Sequence, residues 1–188
     1  MNTAGLGGDG VSIRASRRLT KTATGLSRGA EPGDLPAQFN TPHSIAVDAK
    51  DHVYVADRGN RRIQVFDSEG KFVRQITIDV PFDSNASPAI GNKPILPIKG
   101  PQTMAPGSPW AICITPPPNQ VLFSSDAYPG RIYKLSLEGE VLGVLGQSGK
   151  QLKQFGWIHE IACPSDHELY VSELLNWRVQ KLVLKARH

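Results

Sequence analysis

TPHSIAVDAKDHVYVADRGNRRIQVFDSEGKFVRQIT, residues 41–77, decides the fold. It contains four short runs rich in β-branched and aromatic side chains, at residues 43–47, 52–56, 62–66 and 71–76. The connectors between these runs are rich in Asp, Gly and Asn, which favour tight turns. The stretch therefore predicts a four-stranded antiparallel meander. Because one meander cannot bury both of its faces, it requires neighbours of the same kind.

Two later segments, which start near residues 109 and 156, repeat this pattern. In each copy an acidic residue precedes an arginine by five positions, as the pairs Asp57/Arg62, Asp126/Arg131 and Glu173/Arg178 show. Glu-Gly turns also match at residues 69–70 and 138–139. Agreement at fixed offsets is typical of structural repeats. The sequence predicts three blades at about residues 36–79, 108–146 and 154–185, the last with only three strand candidates.

The rest of the chain differs from the repeats. Residues 1–35 are rich in Gly, Ala, Ser, Thr and Arg without a hydrophobic period, which predicts a disordered or otherwise atypical segment before the repeat region 36–188. No apolar core of a signal peptide is visible there, and a transit peptide stays open. Residues 80–107 are a Pro/Gly-rich excursion, functional or disordered. The net charge of +4 does not require nucleic acid, and no apolar run is long enough for a membrane helix.

Two cysteines, Cys113 and Cys163, lie in the first strands of different blades. Their offsets from the repeat positions differ by one residue, which would point the side chains to opposite faces of the blades. We therefore expect two buried free thiols rather than a bridge.

The three copies resemble NHL repeats, the blades of a six-bladed β-propeller. The predicted fold class is all-β, with about three four-stranded antiparallel blades of such a ring. Within that superfamily the chain resembles the peptidyl-α-hydroxyglycine α-amidating lyases, or peptidylamidoglycolate lyases, which cleave a hydroxyglycine-extended peptide to a peptide amide and glyoxylate. In that family three histidines from alternate blades hold a zinc ion in the central channel. The resemblance also implies a secreted or periplasmic location.

The resemblance carries over to four residues. The settings Pro42-His43-Ser44 and Ile158-His159-Glu160 match two of the family's histidine positions, so His43 and His159 are expected zinc ligands. Arg58, directly after Asp57, is expected to hold the substrate carboxylate, and Tyr128 to act in proton transfer. Residues 1–35 contain no histidine, so a third zinc ligand is not found there.

Structural interpretations of the same residues stay open. A histidine at the start of a strand is also typical of a turn or a core. Trp110 replaces the histidine in the middle copy, and with Trp157 it is expected to pack near the channel. His52 and His167 are expected in exposed turns. An arginine that recurs in every copy indicates a structural role, whereas Arg58 occurs in one copy only.

The expected function is a zinc lyase of the amidating type or a degenerate relative of one. The alternative is a non-catalytic propeller module that binds a protein or another ligand. RNA binding by the basic residues near Arg58 is less favoured, because acidic residues flank them. A peptide or small molecule in the channel is the expected ligand, with no membrane partner. Three blades leave an open arc, so the chain is expected to be a fragment of a ring or to close one as a homodimer.

Overall fold

The computed structural model describes residues 31–88 and 93–185, and almost all of its regular structure is β-strand. Blade 1 contains β1 (Pro42–Val47), β2 (Val53–Asp57), β3 (Arg62–Phe66) and β4 (Phe72–Ile76). Blade 2 contains β5 (Ile112–Ile114), β6 (Leu122–Ser125), β7 (Ile132–Leu135) and β8 (Val141–Leu145). Blade 3 contains β9 (Ile158–Ser165), β10 (Glu168–Glu173) and β11 (Arg178–Val183).

Each blade is one antiparallel sheet in which strands that are consecutive in sequence pair with each other. The all-β prediction and the three predicted blades are therefore confirmed, with four, four and three strands. A single 3-10 turn, Arg58–Asn60, is the helical element among the described residues, and none of the helical structure there is long and apolar enough to cross a membrane. The predicted atypical segment 1–35 lies mostly outside the described residues and stays a prediction.

Side chains of the connectors make the tight turns. The carboxylate of Asp48 accepts hydrogen bonds from the backbone N–H groups of Lys50 and His52, and Asp67 accepts them in the same way from Glu69 and Lys71. An aspartate that binds the backbone two and four residues ahead replaces the hydrogen bonds that a regular strand would supply. The Asp-rich connectors thus fix the register of the strands they join.

The blades stack face to face through two hydrophobic cores. Between blades 1 and 2, buried residues that include Tyr54, Ile63 and Val65 pack with Ile112 and others from blade 2. Between blades 2 and 3 a second core includes Ala111, Phe123, Ile132, Ile161 and Cys163. Blade 2 therefore buries both of its faces, whereas blades 1 and 3 each bury one.

The two cysteines form a disulfide between blades 2 and 3, and the prediction of two free thiols is wrong. Cys113 pairs with Phe123, and Cys163 directly follows Ala162, which pairs with Tyr170 at the position equivalent to Phe123. The side chains do point to opposite faces of their own blades, as expected from the offsets. Because neighbouring blades stack face to face, these opposite faces meet, with 6.1 Å between the two Cα atoms.

The recurring arginines tie each blade to the segment that precedes it. In blade 1 the guanidinium of Arg62 binds buried Asp57 at 2.7 Å and donates to the main-chain oxygens of Asp34, Leu35 and Gln38. Arg178 of blade 3 binds Glu173 at 2.7 Å and three carbonyl groups of residues 150–154 in the same way. In blade 2 Arg131 lies 3.6 Å from Asp126 and donates to main-chain oxygens of residues 80 and 81. The structural role predicted for these arginines is confirmed.

Candidate functional site

Two β-bulges shape the start of the first strand in blades 1 and 3. In blade 1 the pairing jumps from Pro42↔Asp57 to Ile45↔Val55, which leaves one extra residue in the stretch that contains His43. In blade 3 it jumps from Ile158↔Glu173 to Glu160↔Ser172, and His159 is the extra residue. Bulges re-aim side chains at the ends of strands. His43 lies 14 residues before Asp57, and His159 lies 14 residues before Glu173. This equal spacing therefore reflects a similar local geometry in the two blades.

The two bulges bring His43 and His159 together. Their ring centroids lie 5.9 Å apart and the rings meet edge to face. The Nδ1 atom of His43 lies 2.8 Å from the carbonyl oxygen of Trp110. Because a carbonyl oxygen only accepts hydrogen bonds, Nδ1 carries the proton of this contact, and the neutral ring presents its Nε2 lone pair outward.

The pKa of His43 favours that neutral ring. Partial burial lowers the pKa below its ordinary value of 6.5, the hydrogen bond to Trp110 raises it, and the positive charge of Arg58 lowers it again. The net direction is downward, so His43 is uncharged near neutral pH. An uncharged imidazole nitrogen is the form that binds a metal ion or accepts a proton.

Trp110 lies at the centre of the cluster. Its indole ring is 6% exposed, and its Nε1 donates to the carbonyl of Thr103 in the long excursion between blades 1 and 2. The ring centroid lies 5.2 Å from that of His43 and 4.9 Å from that of Trp157, which it meets edge to face. The guanidinium carbon of Arg58 stands 3.9 Å above the indole centroid. We call His43, Arg58, Trp110, Trp157 and His159 the Trp110 cluster.

Asp57 fixes the position of Arg58. Its buried carboxylate accepts hydrogen bonds from the backbone of Asn40 and from the side chains of Asn60, Arg62 and Gln64. Arg58 follows directly, at the start of the 3-10 turn, and its carbonyl accepts a hydrogen bond from the hydroxyl of Ser108. The backbone at Arg58 is thus held on both sides while its side chain is free to lie over Trp110.

Arg58 has unused hydrogen-bonding capacity. Burial lowers the pKa of Arg58 below its ordinary value, yet no acidic side chain among the described residues forms an ion pair with it. Its Nε atom and the Nε1 atom of Trp157 are both buried without a hydrogen-bond partner within the described part of the chain. Buried donors of this kind are costly unless a ligand or water binds them.

Tyr128 stands apart from the Trp110 cluster. It is 1% exposed, its ring packs edge to face on Phe82 at 5.6 Å, and its hydroxyl has no partner among the described residues. Burial, and next the charge of Asp83, raise the pKa of Tyr128. None of the contacts within residues 31–88 and 93–185 joins Tyr128 to either histidine. Its proton-transfer role stays a prediction.

The described residues supply only part of a zinc site. Two neighbouring imidazoles with one outward lone pair suit a zinc ion, which usually takes three protein ligands at a catalytic centre. No group of three histidine, cysteine, aspartate or glutamate side chains able to hold a metal occurs in residues 31–88 and 93–185. His43 and His159 therefore fit two of the three ligands.

One repeated feature escaped the sequence analysis. Gly33 and Gly149 each begin a segment with the pattern Gly-x4-Gln-Phe, which ends at Phe39 and Phe155. In both segments the glycine N–H donates to the carbonyl of that phenylalanine, and the recurring arginine of the following blade binds the segment's main chain. The offset of 116 residues between the two glycines equals that between Asp57 and Glu173, and this signal is visible in the sequence.

Comparisons with known proteins agree with the repeat assignment. The family model described as NHL repeat matches residues 39–66. Human NHL repeat-containing protein 3 is 45% identical over 62 residues, which are 33% of this chain and 18% of that protein. Protein brain tumor of Drosophila melanogaster is 48% identical over 42 residues, which are 22% of this chain and 4% of that protein. The matched stretch thus spans less than a fifth of either relative.

Two solved structures are similar at low identity. Kuenenia stuttgartiensis hydrazine synthase has a TM-score of 0.47 at 13% identity, over 77% of this chain and 31% of that chain. A catalytically inactive virginiamycin B lyase from Staphylococcus aureus with quinupristin has a TM-score of 0.43 at 13% identity, over 84% of this chain and 46% of that chain. The chain carries an NHL repeat at residues 39–66 within an all-β, propeller-type fold.

Proposed function

We propose that the Trp110 cluster binds the carboxylate group of a peptide or small-molecule ligand. The observation that carries this proposal is the state of Arg58, a half-buried arginine whose buried Nε has no hydrogen-bond partner and whose guanidinium has no acidic partner among the described residues. A guanidinium binds a carboxylate through two parallel hydrogen bonds, and these are strong where water is excluded. The guanidinium carbon lies 3.9 Å from the indole centroid of Trp110, and this cation–π contact helps to position the guanidinium for the ligand.

The groups around Arg58 add further hydrogen-bonding atoms to this site. The unpartnered Nε1 of Trp157 is a second donor suited to a carboxylate oxygen or a carbonyl. The Nε2 lone pair of His43 accepts a hydrogen bond from a hydroxyl of the ligand, and His159 lies beside it. A ligand that carries a hydroxyl next to its carboxylate would use all of these groups. Hydroxyglycine at the end of a peptide has that chemistry.

The finer proposal is the amidating-lyase reaction that the sequence resemblance implies. His43 and His159 would hold the zinc ion that polarises the ligand's hydroxyl in such enzymes. The third ligand does not occur among the described residues, so the reaction requires a further group from outside them. If the cluster binds the ligand without releasing glyoxylate, the chain acts as a binding module of the same specificity.

Calorimetric titration tests the binding proposal. The probes are a short peptide that ends in a hydroxyglycine carboxylate and the same peptide with a C-terminal amide. Because a hydrogen bond to a charged group contributes about 1.5–3 kcal/mol, we expect the amide to bind at least about tenfold more weakly. Arg58→Gln should remove this preference. Lys71→Gln removes the same charge from an exposed turn of blade 1 and should retain it.

The outcomes separate the two levels of the proposal. Equal affinity for the two peptides, or an unchanged preference in Arg58→Gln, would overturn carboxylate binding. Glyoxylate release from the hydroxyglycine peptide after addition of zinc tests the lyase separately. Release that His43→Ala and His159→Ala abolish would support the reaction. Binding without release would reject it and leave the binding module.

A further inference from the structure

The exposed outer faces of blades 1 and 3 are complementary halves of an interface that the chain already forms twice. The first half is an isoleucine of the first strand of each blade. In every blade it pairs with the residue that stands two positions before the recurring acidic residue. These isoleucines are Ile45, Ile112 and Ile161 in blades 1, 2 and 3. Ile112 and Ile161 are each 3% exposed because the preceding blade covers them. Ile45 occupies the equivalent position in blade 1 and is 62% exposed.

The second half is the residue that follows the recurring arginine. Ile63 and Ile132 occupy this position in blades 1 and 2, and both are fully buried under the following blade. Val179 occupies it in blade 3 and is 67% exposed. Tyr170, the counterpart of fully buried Tyr54, is exposed in the same way. Blade 3 thus exposes the face that, in blades 1 and 2, packs against the next blade along the chain.

We propose that a second copy of this chain covers both faces, with blade 3 of one protomer on blade 1 of its partner. Each copy has one exposed face of each kind, so two copies in a closed pair cover all four of these faces. A two-fold axis makes the two contacts identical. The apolar side chains at Ile45, Val47 and Val179 supply the hydrophobic driving force for the contact. This inference does not depend on the proposed ligand.

The disulfide between blades 2 and 3 provides a geometric probe of this pairing. Cys113 lies opposite Phe123, and Ala162 lies opposite Tyr170 at the equivalent position of blade 3. Ala46 is the equivalent of Ala162 in blade 1, so Val47, the residue after Ala46, is the equivalent of Cys163, the residue after Ala162. The pair Ala162 and Val47 of the partner therefore repeats the geometry of the existing bridge. Both residues are exposed in one copy.

The experiment uses the full chain with the substitutions Ala162→Cys and Val47→Cys combined. We expect an intermolecular disulfide between residues 162 and 47, seen as a dimer band without reductant and located by mass spectrometry of the linked peptides. Ala162→Cys combined with Ala49→Cys is the matched control. Ala49 is exposed, but its backbone N–H binds Gln120 of blade 2, so it faces away from the partner and should not cross-link.

Light scattering tests the same contact without cysteines. The wild-type chain should have twice its chain mass of 20.4 kDa. Val179→Glu would place a charge in the contact and should yield monomers with an unchanged circular dichroism spectrum. Ile95→Glu, a control at a position 88% exposed in the excursion, should remain a dimer. A monomeric wild type, an open polymer, or cross-links between identical positions would overturn the proposal.

Discussion

Reduction of the disulfide between Cys113 and Cys163 should cost this chain a large part of its stability. The bridge closes a loop with a sequence separation of 50 residues. In the chain-entropy account, a loop of this size restricts the unfolded chain by about 4 kcal/mol at 25 °C. For a domain of this size, 1 kcal/mol changes the Tm by about 2–4 °C, so the reduced protein should melt about 10 °C below the oxidised one.

The assay compares one protein in two redox states. Urea unfolding followed by far-UV circular dichroism gives the free energy of unfolding with and without reductant, and a thiol-reactive dye counts free cysteines beforehand. Cys113→Ser combined with Cys163→Ser serves as the control, because reductant should not change its stability. Two free thiols in the native, untreated protein would refute the bridge. A difference below about 1 kcal/mol between the redox states would refute the entropic reasoning.

Three further predictions concern the scaffold. Arg62→Gln removes the cationic partner of the buried Asp57 carboxylate and should lower the free energy of unfolding by about 3–5 kcal/mol. Arg178→Gln should lower it by less, because the Arg178 side chain is 26% exposed against 7% for Arg62. Equal losses for the two variants in urea unfolding would contradict this difference. Burial raises the pKa of Glu173, but hydrogen bonds to its carboxylate outweigh burial and hold the pKa below 4.5. This stabilisation is present above pH 4.5 and is lost as pH falls through the folded pKa, so Glu173→Gln should flatten the acid side of a stability–pH curve, and an unchanged curve would disprove the assignment. Gly107→Ala should destabilise the protein more than Gly100→Ala: both residues have φ +76°, but at Gly107 alone an added Cβ would meet a backbone carbonyl. Similar melting temperatures for the two alanine variants would contradict that difference.

The offsets in the sequence were sufficient to predict the blades. An acidic residue and an arginine five positions later recur because each blade needs a buried ion pair to hold its preceding connector, and this need is independent of the surrounding sequence. The expected turns follow from Asp48 and Asp67, which act locally. Local hydrogen bonding and repeat spacing are the parts of the fold that one sequence expresses directly.

The site was predicted in part. His43 and His159 come together because similar bulges in two blades turn both side chains toward each other. The equal spacing of each histidine from its acidic residue indicated this in the sequence. The stacking of Arg58 on Trp110 depends on the packing of two blades, which spacing within one blade does not encode. Tyr128 lies in blade 2, in the turn that corresponds to the turn of Arg58 in blade 1. Its ring packs on Phe82 of the excursion, and no repeat offset predicts this contact.

The disulfide shows why a correct local inference led to a wrong conclusion. The offsets predicted that the side chains of Cys113 and Cys163 point to opposite faces of their own blades, and in the structure they do. The missing information was that stacked blades present opposite faces to each other.

Fluorescence of the two tryptophans in the Trp110 cluster tests the central claim most directly. The chain has three tryptophans, so Trp177→Phe leaves only Trp110 and Trp157 as reporters. We predict a saturable change in their emission as the hydroxyglycine peptide binds, and little change with its C-terminal amide at the same concentrations. A response of equal size and affinity for both peptides, or no response to the carboxylate at all, would contradict the account of the site.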